Sequence, residues 1–548
     1  MTIKEFARVA AKEYLHSIVF VDDQIYDRAT EHPVESSTIV SRFKSPFVRD
    51  KAGEQSGTPT VESPEVAEPE EAPPYHPKQL VESFAREGMV CALYEPERNF
   101  RTDPTSEIFR LCARADVVIF DWDLYGEDGH NLLPLVTNLI QEGQSKSPYH
   151  VRLFAIYTSK PNLFSVGNAL LSHLEAGQIA VTPTPPLSFT TGATRIIVLG
   201  KPGVIDRAND LKGLEVLEQN LAKRIIDEFS EMHSGILPSY ALHGLACIRR
   251  NTQRILDKFH RDMDGPFLLH RASLLEHEDA FQQFPELLAE EALAVMLDGQ
   301  IPVDISAKIA VARSREMKLN PINWPQVAAN HSFDADSLAR SYLGEGSAAL
   351  EGKPRKPPDQ AFHEAMDCAV THADDRFAAL FNLRTRYFKE NAVPELGFGT
   401  IIKLQPIGPS LTPEYSICLM PLCDSVRLKT GSRETFPFWK LRPIAKGKNG
   451  YGLIVPIDKT VYARLGTSGK PRDMLWLDSL EASVGGMVRA ERDGESFFFT
   501  GTHGQKLEWI AQLKPSHAQR VAHNIGQSLS RVAVVEAEWL RLMADGKT

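Results

Sequence analysis

Residues 116–123, DVVIFDWD, decide the fold of the N-terminal part of this sequence. Four apolar residues run without alternation into an acidic end, a pattern typical of a parallel strand that is buried on both faces. SIVFVDDQ, at residues 17–24, has the same form. Because ligands bind beyond the carboxyl ends of parallel strands, we expect function at these two acidic ends.

Helical and strand patterns alternate on both sides of DVVIFDWD, which indicates βαβ units and a parallel sheet. We therefore predict an α/β fold with a five-stranded doubly wound sheet, closed by a helix within residues 214–233. The other predicted helices are KQLVESFAREG (78–88), TSEIFRLCARA (105–115), NLLPLVTNLIQEG (131–143) and NLFSVGNALLSHLEAG (162–177). The other predicted strands are MVCALYE (89–95), VRLFAIYTS (151–159) and TRIIVLGKPG (194–203).

The chain of 548 residues is long enough for about three domains, and composition suggests where they divide. We predict the α/β domain at 1–233, with an insertion near 28–76 whose Pro, Glu and Ser content favours disorder. A helical region follows at 234–342, and a linker rich in Gly, Pro and Lys at 343–360. Residues 361–548 hold short β-rich runs bounded by turns and a last amphipathic helix, which indicates a small β-rich α+β domain.

Charge and hydropathy argue against a surface that binds mainly nucleic acid and against a membrane-spanning protein. The net charge of -10, from 61 basic and 71 acidic residues, argues against a surface built mainly to bind nucleic acid. No apolar run reaches the roughly 20 residues that span a bilayer, so we expect a cytoplasmic protein without membrane contact. Six cysteines are spread along the chain, mostly in apolar stretches, which argues against a disulfide framework.

Polar residues follow four of the five predicted parallel strands. Asp22 and Asp23 end the first strand, Asp121 the third and Thr158 the fourth, and Lys201 follows the fifth. The doubly wound order brings all of them to one edge of the sheet. Three crowded carboxylates repel one another unless a cation lies between them, and hard oxygen ligands suit Mg²⁺. With the metal bound, one carboxylate can attack a phosphoryl group while a hydroxyl and an ammonium group neutralise its oxygens.

Four short motifs resemble those of the response-regulator receiver family, the phosphoacceptors of two-component signalling. They are VDDQ (21–24), DWDLYGEDG (121–129), IYTS (156–159) and GKP (200–202). The resemblance implies a flavodoxin-like fold and transfer of a phosphoryl group to Asp121 from the phosphohistidine of a histidine kinase. The implied site consists of Asp121, Thr158 and Lys201 for the chemistry, and of Asp22, Asp23, Asp121 and the backbone carbonyl of Asp123 for Mg²⁺.

The sequence departs from the family at a position linked to output. The family often carries an aromatic residue three positions before its lysine, and here that residue is Val198. In overall layout the chain is similar to the large receiver proteins of bacterial anti-phage phosphorelays such as the Detocs system. That resemblance implies antiviral defence, with a histidine kinase, other receiver proteins or a second copy of the chain as partners.

Two other functions remain open for the part of the chain beyond the receiver motifs. One is a DNA-binding transcriptional regulator. The other is an effector enzyme with a site near Cys423, which lies close to Cys418 and Asp424. Because that part carries no known catalytic motif, we expect a signalling protein that is not an enzyme beyond its own phosphotransfer and dephosphorylation.

Overall fold

The computed structural model describes residues 2–25, 77–274, 280–316, 343, 373–386, 392–404, 413–444, 452–458, 461–467, 470–501, 504–529, 541 and 543–544. The predicted insertion at 28–76 lies outside these residues, as does the predicted linker at 343–360 apart from residue 343. The chain divides into two compact units. Unit 1 comprises Met1–Thr252, Val295–Lys318 and Val327–Lys356, and unit 2 comprises Gln253–Ala294, Leu319–Gln326 and Pro357–Thr548.

Unit 1 is built on a seven-stranded sheet. Its strands are β1 (Ser17–Val21), β2 (Val90–Tyr94), β3 (Val117–Phe120), β4 (Arg152–Thr158), β5 (Thr182–Thr184), β6 (Ser188–Thr191) and β7 (Thr194–Gly200). They lie in the order β2-β1-β3-β4-β7-β6-β5. The first five in this order pair in parallel, which confirms the predicted α/β fold with a five-stranded doubly wound sheet.

Helices connect these strands and cover both faces of the sheet. They are α1 (Ile3–Tyr14), α2 (Pro77–Arg86), α3 (Glu107–Cys112), α4 (Leu132–Lys146), α5 (Leu163–Ala176) and α6 (Glu218–Met232). All seven residues of β4 are buried, as expected for a central parallel strand. Alternate residues of β3 enter two separate cores, Val118 and Phe120 on one face and Val117 and Ile119 on the other. Each such buried side chain stabilises the fold by about 1.5–3 kcal/mol.

Residues 177–193 contain a hairpin that widens the sheet. Strand β5 pairs antiparallel with β6, and β6 pairs antiparallel with β7. Leu187 and Phe189 are buried in the core under α5. A Cβ atom on Gly167 of α5 would lie 3.0 Å from Leu187 Cδ2, so the glycine lets the hairpin pack closely. The apolar residues of this segment are too few to form a clear strand pattern.

Unit 1 also runs past the predicted domain boundary at 233. Helix α7 (Ile236–Arg250) packs against α1, where Arg250 Nη1 lies 3.2 Å from Glu13 Oε1. Arg249 Nη1 lies 3.3 Å from Asp116 Oδ2, just before β3. Further along the chain, Ile309 joins an apolar cluster with Ile3 and Phe6. The predicted helical region at 234–342 is therefore shared between the two units.

Beyond α7 the described helices are α8 (Thr252–Leu256), α9 (Asp264–Ser273), α10 (Ala280–Asp298), α11 (Val303–Glu316), α12 (Ala373–Asn382), α13 (Leu422–Ser425) and α14 (Pro515–Leu529). The described strands of unit 2 are β8 (Thr400–Leu404), β9 (Glu414–Cys418), β10 (Arg433–Pro443), β11 (Leu453–Pro456), β12 (Tyr462–Thr467), β13 (Met474–Glu481), β14 (Glu491–Asp493), β15 (Ser496–Thr500) and β16 (Lys506–Gln512).

The strands of unit 2 form one antiparallel sheet, which confirms the predicted β-rich fold. Eight of them lie in the order β11-β12-β10-β9-β8-β16-β15-β14, and β13 pairs with β10. Neighbouring residues of β10 face opposite cores, Phe438 on one side and Trp439 on the other. Helix α14 packs Val521 and Ile525 into the same core as Trp439. None of the helices described in either unit is long and apolar enough to cross a membrane.

Candidate acidic site at the carboxyl edge of the parallel sheet

Three carboxylates meet where β1 and β3 end. The two strands are neighbours, with Val21 opposite Phe120, so the residues that follow them are neighbours too. One carboxylate oxygen from each of Asp22, Asp23 and Asp121 lies within 4.8 Å of the others. Among the described residues this is the one group of three or more acidic, His or Cys side chains close enough to hold a metal ion.

The carboxylate of Asp121 is nearly fully buried. The residue is 5% exposed, and Oδ1 is buried without a hydrogen bond from any described residue. Oδ1 lies 3.3 Å from Lys201 Nζ in an ion pair. Burial raises the pKa of Asp121 to about 7, because Asp22 and Asp23 add to the effect of burial and the opposing charge of Lys201 does not cancel it.

Lys201 connects two of the carboxylates. It directly follows β7, and its Nζ donates to Asp22 Oδ2 at 3.0 Å while lying close to Asp121. Burial lowers the pKa of Lys201, but the charges of Asp121 and Asp22 outweigh burial and raise the pKa above its ordinary value. The ammonium group therefore stays charged beside Asp121.

Thr158 ends β4 beside β7 and is fully buried. Its carbonyl accepts a hydrogen bond of 2.7 Å from the backbone N–H of Lys201, which fixes the two residues next to each other. Its hydroxyl oxygen accepts from the backbone N–H of Lys160 at 3.1 Å. The hydroxyl hydrogen has no acceptor among the described residues, so it remains available to a ligand.

Backbone N–H groups of two different turns hold Asp23 and Asp22, the turn after β3 for Asp23 and the turn after β1 for Asp22. Asp23 Oδ2 accepts from the backbone N–H of Tyr125 at 2.8 Å, whereas Asp23 Oδ1 is buried and has no hydrogen-bond donor in the described chain. Burial raises the pKa of Asp23 against the opposing effect of the Tyr125 bond, and the charge of Asp22 adds to the rise. Asp22 Oδ1 accepts from the backbone N–H of Gln24 at 2.8 Å.

The side chain of Asp123 has a structural partner of its own. It accepts from the backbone N–H of Asp128 at 2.8 Å and pairs with Lys160 Nζ at 3.0 Å. The Asp123 carbonyl, which the family resemblance assigned to the metal, accepts from the backbone N–H of Gly126 at 3.2 Å. A carbonyl oxygen has a second lone pair, so this bond leaves room for a metal.

Sequence reasoning missed two basic residues beside the site. Lys160 pairs with Asp123 and also with Asp128, which accepts from Trp122 Nε1 at 2.8 Å. The other is Arg207, whose side chain is fully buried although no strand or motif singled it out. Both residues lie in loops, where the sequence pattern gives no signal of position.

The Arg207 guanidinium ties three segments together behind the site. Nη1 donates to the Lys201 carbonyl at 2.6 Å and to Glu215 Oε1 at 3.0 Å. Nη2 donates to the carbonyls of Thr158 at 3.2 Å and Lys160 at 3.0 Å. Arg207 therefore holds the backbone at the ends of β4 and β7, next to the acidic site.

The absence of a side chain at Gly200 leaves space for the Arg207 guanidinium, and a substitution at this position tests that contact. A Cβ atom on Gly200 would lie 2.2 Å from Arg207 Nη1, inside any real contact distance. We expect Gly200→Ala to displace the guanidinium and to lower the free energy of unfolding by about 1–3 kcal/mol. Urea unfolding measures this loss. Gly213→Ala is the matched control, because its added Cβ meets nothing within 4 Å, and an equal loss in both variants would contradict the prediction.

The acidic group fits a hard divalent cation. Asp121 Oδ1 and Asp23 Oδ1 are buried oxygens that accept no hydrogen bond from the residues that the structure describes. All the candidate ligands are carboxylate or carbonyl oxygens, which Mg²⁺ prefers over softer donors. A cation here would offset the repulsion that raises the pKa of Asp121.

The other candidates from the sequence do not form a comparable site. Cys418 is buried in β9, and burial raises its pKa to about 12, so its thiol stays protonated. Cys423 is exposed on the four-residue helix α13.

Comparison with known proteins identifies the first part of the chain. Residues 14–206 match the family described as "Response receiver domain". This range contains the acidic site together with Thr158 and Lys201. No curated protein and no solved structure gives a significant match.

Proposed function

Because residues 14–206 form a response-regulator receiver domain, we propose that Asp121 accepts a phosphoryl group from the phosphohistidine of a histidine kinase. One observation carries the proposal. The Asp121 carboxylate is nearly fully buried, yet Oδ1 has no hydrogen-bond donor in the described chain and faces the Lys201 ammonium group. A buried carboxylate whose oxygen is paired with a cation but accepts no hydrogen bond suits attack on an electron-poor phosphorus.

Each residue of the site has a separate role in the proposed transfer of the phosphoryl group. An oxygen of Asp121 forms the new O–P bond while the N–P bond of the phosphohistidine breaks, and the imidazole leaves with the bonding pair. Lys201 neutralises charge on the phosphoryl oxygens, and the Thr158 hydroxyl donates its unused hydrogen to one of them. Arg207 keeps Thr158 and Lys201 in place through their carbonyl oxygens.

We further propose that the transfer depends on Mg²⁺ held by Asp22, Asp23, Asp121 and the carbonyl of Asp123. Asp121 Oδ1 and Asp23 Oδ1, which accept no hydrogen bond from the described residues, support this assignment. When bound, the metal supplies positive charge that neutralises the carboxylates and the phosphoryl oxygens.

Mg²⁺ affinity should depend on pH. The pKa of Asp121 is raised to about 7 in the absence of metal, and only the deprotonated carboxylate binds a cation. We therefore expect the apparent affinity for Mg²⁺ to rise as the pH increases to about 7 and to level off above it, with proton release on binding below pH 7. Isothermal titration in buffers of different ionisation enthalpy measures both effects. An affinity that is constant from pH 5.5 to 8 would contradict the metal assignment.

Phosphorylation itself tests the proposed function. The full chain is incubated with a small phosphodonor or a histidine kinase, with Mg²⁺ or with a chelator, and its intact mass is measured. We expect a gain of one phosphoryl group with Mg²⁺ that is lost in base, and little gain with the chelator. Absence of any gain with either donor would refute phosphoryl acceptance, whereas an equal gain with the chelator would refute only Mg²⁺ dependence.

The output is a separate proposal. Val198 is buried in β7 at the position where the family often has an aromatic ring, so no ring is available there to reorient on phosphorylation. This favours a cytoplasmic receiver that stores or passes on phosphoryl groups, as in an anti-phage phosphorelay. DNA binding and an enzyme site near Cys423 stay predictions, which salt-dependent retention on DNA and the activity of Cys423→Ala would test.

A further inference from the structure

A basic cavity of about 450 Å³ opens between α3 and α4 of unit 1. It lies at the start of β4, whereas the acidic site lies beyond the other end of that strand. The charged and titratable residues that line the cavity are Arg110, Arg114, Glu142, Lys146, His150 and Arg152.

Arg152 is the buried part of this cavity. It is 4% exposed, and its Nη2 donates to the Leu139 carbonyl at 3.3 Å. Nε is buried and has no hydrogen-bond partner in the part of the chain that the structure describes. A guanidinium group has five N–H donors, and the hydrogen bond to the Leu139 carbonyl of α4 uses one of them. A buried cation without an anion is costly, which points to a ligand that supplies one.

The fold makes room for this guanidinium at a specific place. A Cβ atom on Gly143 of α4 would lie 1.9 Å from Arg152 Nη2. Glycine inside a helix costs about 0.5–1 kcal/mol relative to alanine. Arg152 can therefore approach α4 this closely because residue 143 is glycine, although glycine stabilises a helix less than alanine does.

The charges around the cavity are strongly unbalanced. Lys146 pairs with Glu142 at 2.6 Å, but none of the carboxylates in the described residues lies within 4.0 Å of Arg110, Arg114 or Arg152. Burial and the charge of Arg152 lower the pKa of His150, which leaves its ring neutral. Four permanent cations against one carboxylate leave three positive charges.

We propose that this cavity binds a small anion with two linked phosphoryl groups, the chemistry shared by inorganic pyrophosphate and nucleoside diphosphates. Such a group carries close to three negative charges and matches the surplus in the cavity. Guanidinium groups bind phosphoryl oxygens through paired hydrogen bonds. The volume also lies within the range of small-molecule sites, about 300–1,000 Å³.

The test is isothermal titration of the full chain with pyrophosphate, ADP and orthophosphate in buffer without Mg²⁺, so that the acidic site takes no part. We expect pyrophosphate or ADP to bind at least about tenfold more tightly than orthophosphate, since the second phosphoryl group accepts further charged hydrogen bonds from the arginines. Tighter binding of ADP identifies a nucleotide as the source of the diphosphate, and tighter binding of pyrophosphate identifies the inorganic ion.

Variants distinguish binding in this cavity from general attraction between an anion and exposed basic side chains. Arg114→Ala removes an exposed rim cation, and Gly143→Ala displaces Arg152 without changing any charge. Each should weaken binding by about tenfold or more. Arg86→Ala, on the exposed side of α2, removes the same charge elsewhere in unit 1 and should leave binding unchanged. No binding to wild type at millimolar ligand, equal binding of orthophosphate, or an equal loss in Arg86→Ala would overturn the proposal.

Discussion

Asp121→Asn should abolish phosphorylation of the chain. The amide is nearly the same size as the carboxylate but is a poor nucleophile and carries no charge, so it cannot attack phosphorus. It also removes one of the three acidic groups that lie within 4.8 Å of one another. We expect phosphoryl incorporation to fall at least about a thousandfold, measured by intact mass over a time course, as is usual when a covalent nucleophile is lost.

The same substitution should not unfold unit 1. Asp121 is buried with a raised pKa, so a neutral side chain at this position relieves repulsion with Asp22 and Asp23. Asp227→Asn is the matched control, because Asp227 forms only an exposed ion pair with Arg8 at 3.2 Å. If Asp121→Asn is folded and gains as much phosphate as Asp227→Asn, Asp121 is not the acceptor.

Arg207→Ala should cause the largest loss of stability among the single substitutions considered. The change leaves Glu215 without its cation and removes the guanidinium hydrogen bonds to the carbonyls of Lys201, Thr158 and Lys160. Removing one partner of a buried charged network costs about 3–5 kcal/mol. Hydrogen exchange of β4 and β7 along a urea series measures the free energy of opening of this part of unit 1.

Arg101→Ala is the control for this prediction. Arg101 pairs with Asp103 at 2.8 Å, but its side chain is 75% exposed, and exposed pairs of this kind contribute about 0–1 kcal/mol. A loss in Arg207→Ala no larger than that in Arg101→Ala would show that water replaces the guanidinium without cost. Phosphorylation of Arg207→Ala should also be slower, because the variant releases the backbone of Thr158 and Lys201.

The parallel sheet and the acidic residues could be predicted from sequence for the same reason. Buried parallel strands are continuous apolar runs, and the residues that follow them must meet at one edge. Asp22, Asp121 and Thr158 each directly follow or end such a run, so their positions follow from strand order alone. No comparable rule places a residue in a loop.

Lys160 and Arg207 show what strand order leaves out. Lys160 reaches Asp123 and Asp128 because the loops after β3 and β4 bend toward each other. Arg207 is buried because four acceptors surround it. Its sequence neighbourhood, KPGVIDRAND, is polar and resembles any exposed loop. Both contacts come from tertiary packing, which a single sequence does not encode as a periodic pattern.

The assignment of helices and strands to the two units was harder to predict than the helices and strands themselves. The helical pattern of α7 is clear, but the partners that assign it to unit 1 are Glu13 and Asp116, more than a hundred residues away. Likewise, the hairpin of β5 and β6 depends on the space beside Gly167 rather than on its own apolar residues. Long-range contacts of this kind decide which elements share a core.

The apolar cluster of Ile3, Phe6 and Ile309 affects folding during synthesis on the ribosome. The ribosome synthesises α1 before α11, and the isoleucine that completes this apolar cluster follows α1 by about three hundred residues. The chain must also produce residues 253–294, which belong to unit 2, in the interval. Ile3 and Phe6 of α1 therefore lack this partner until Ile309 has been synthesised, and their packing in unit 1 is complete only after α11 has left the exit tunnel.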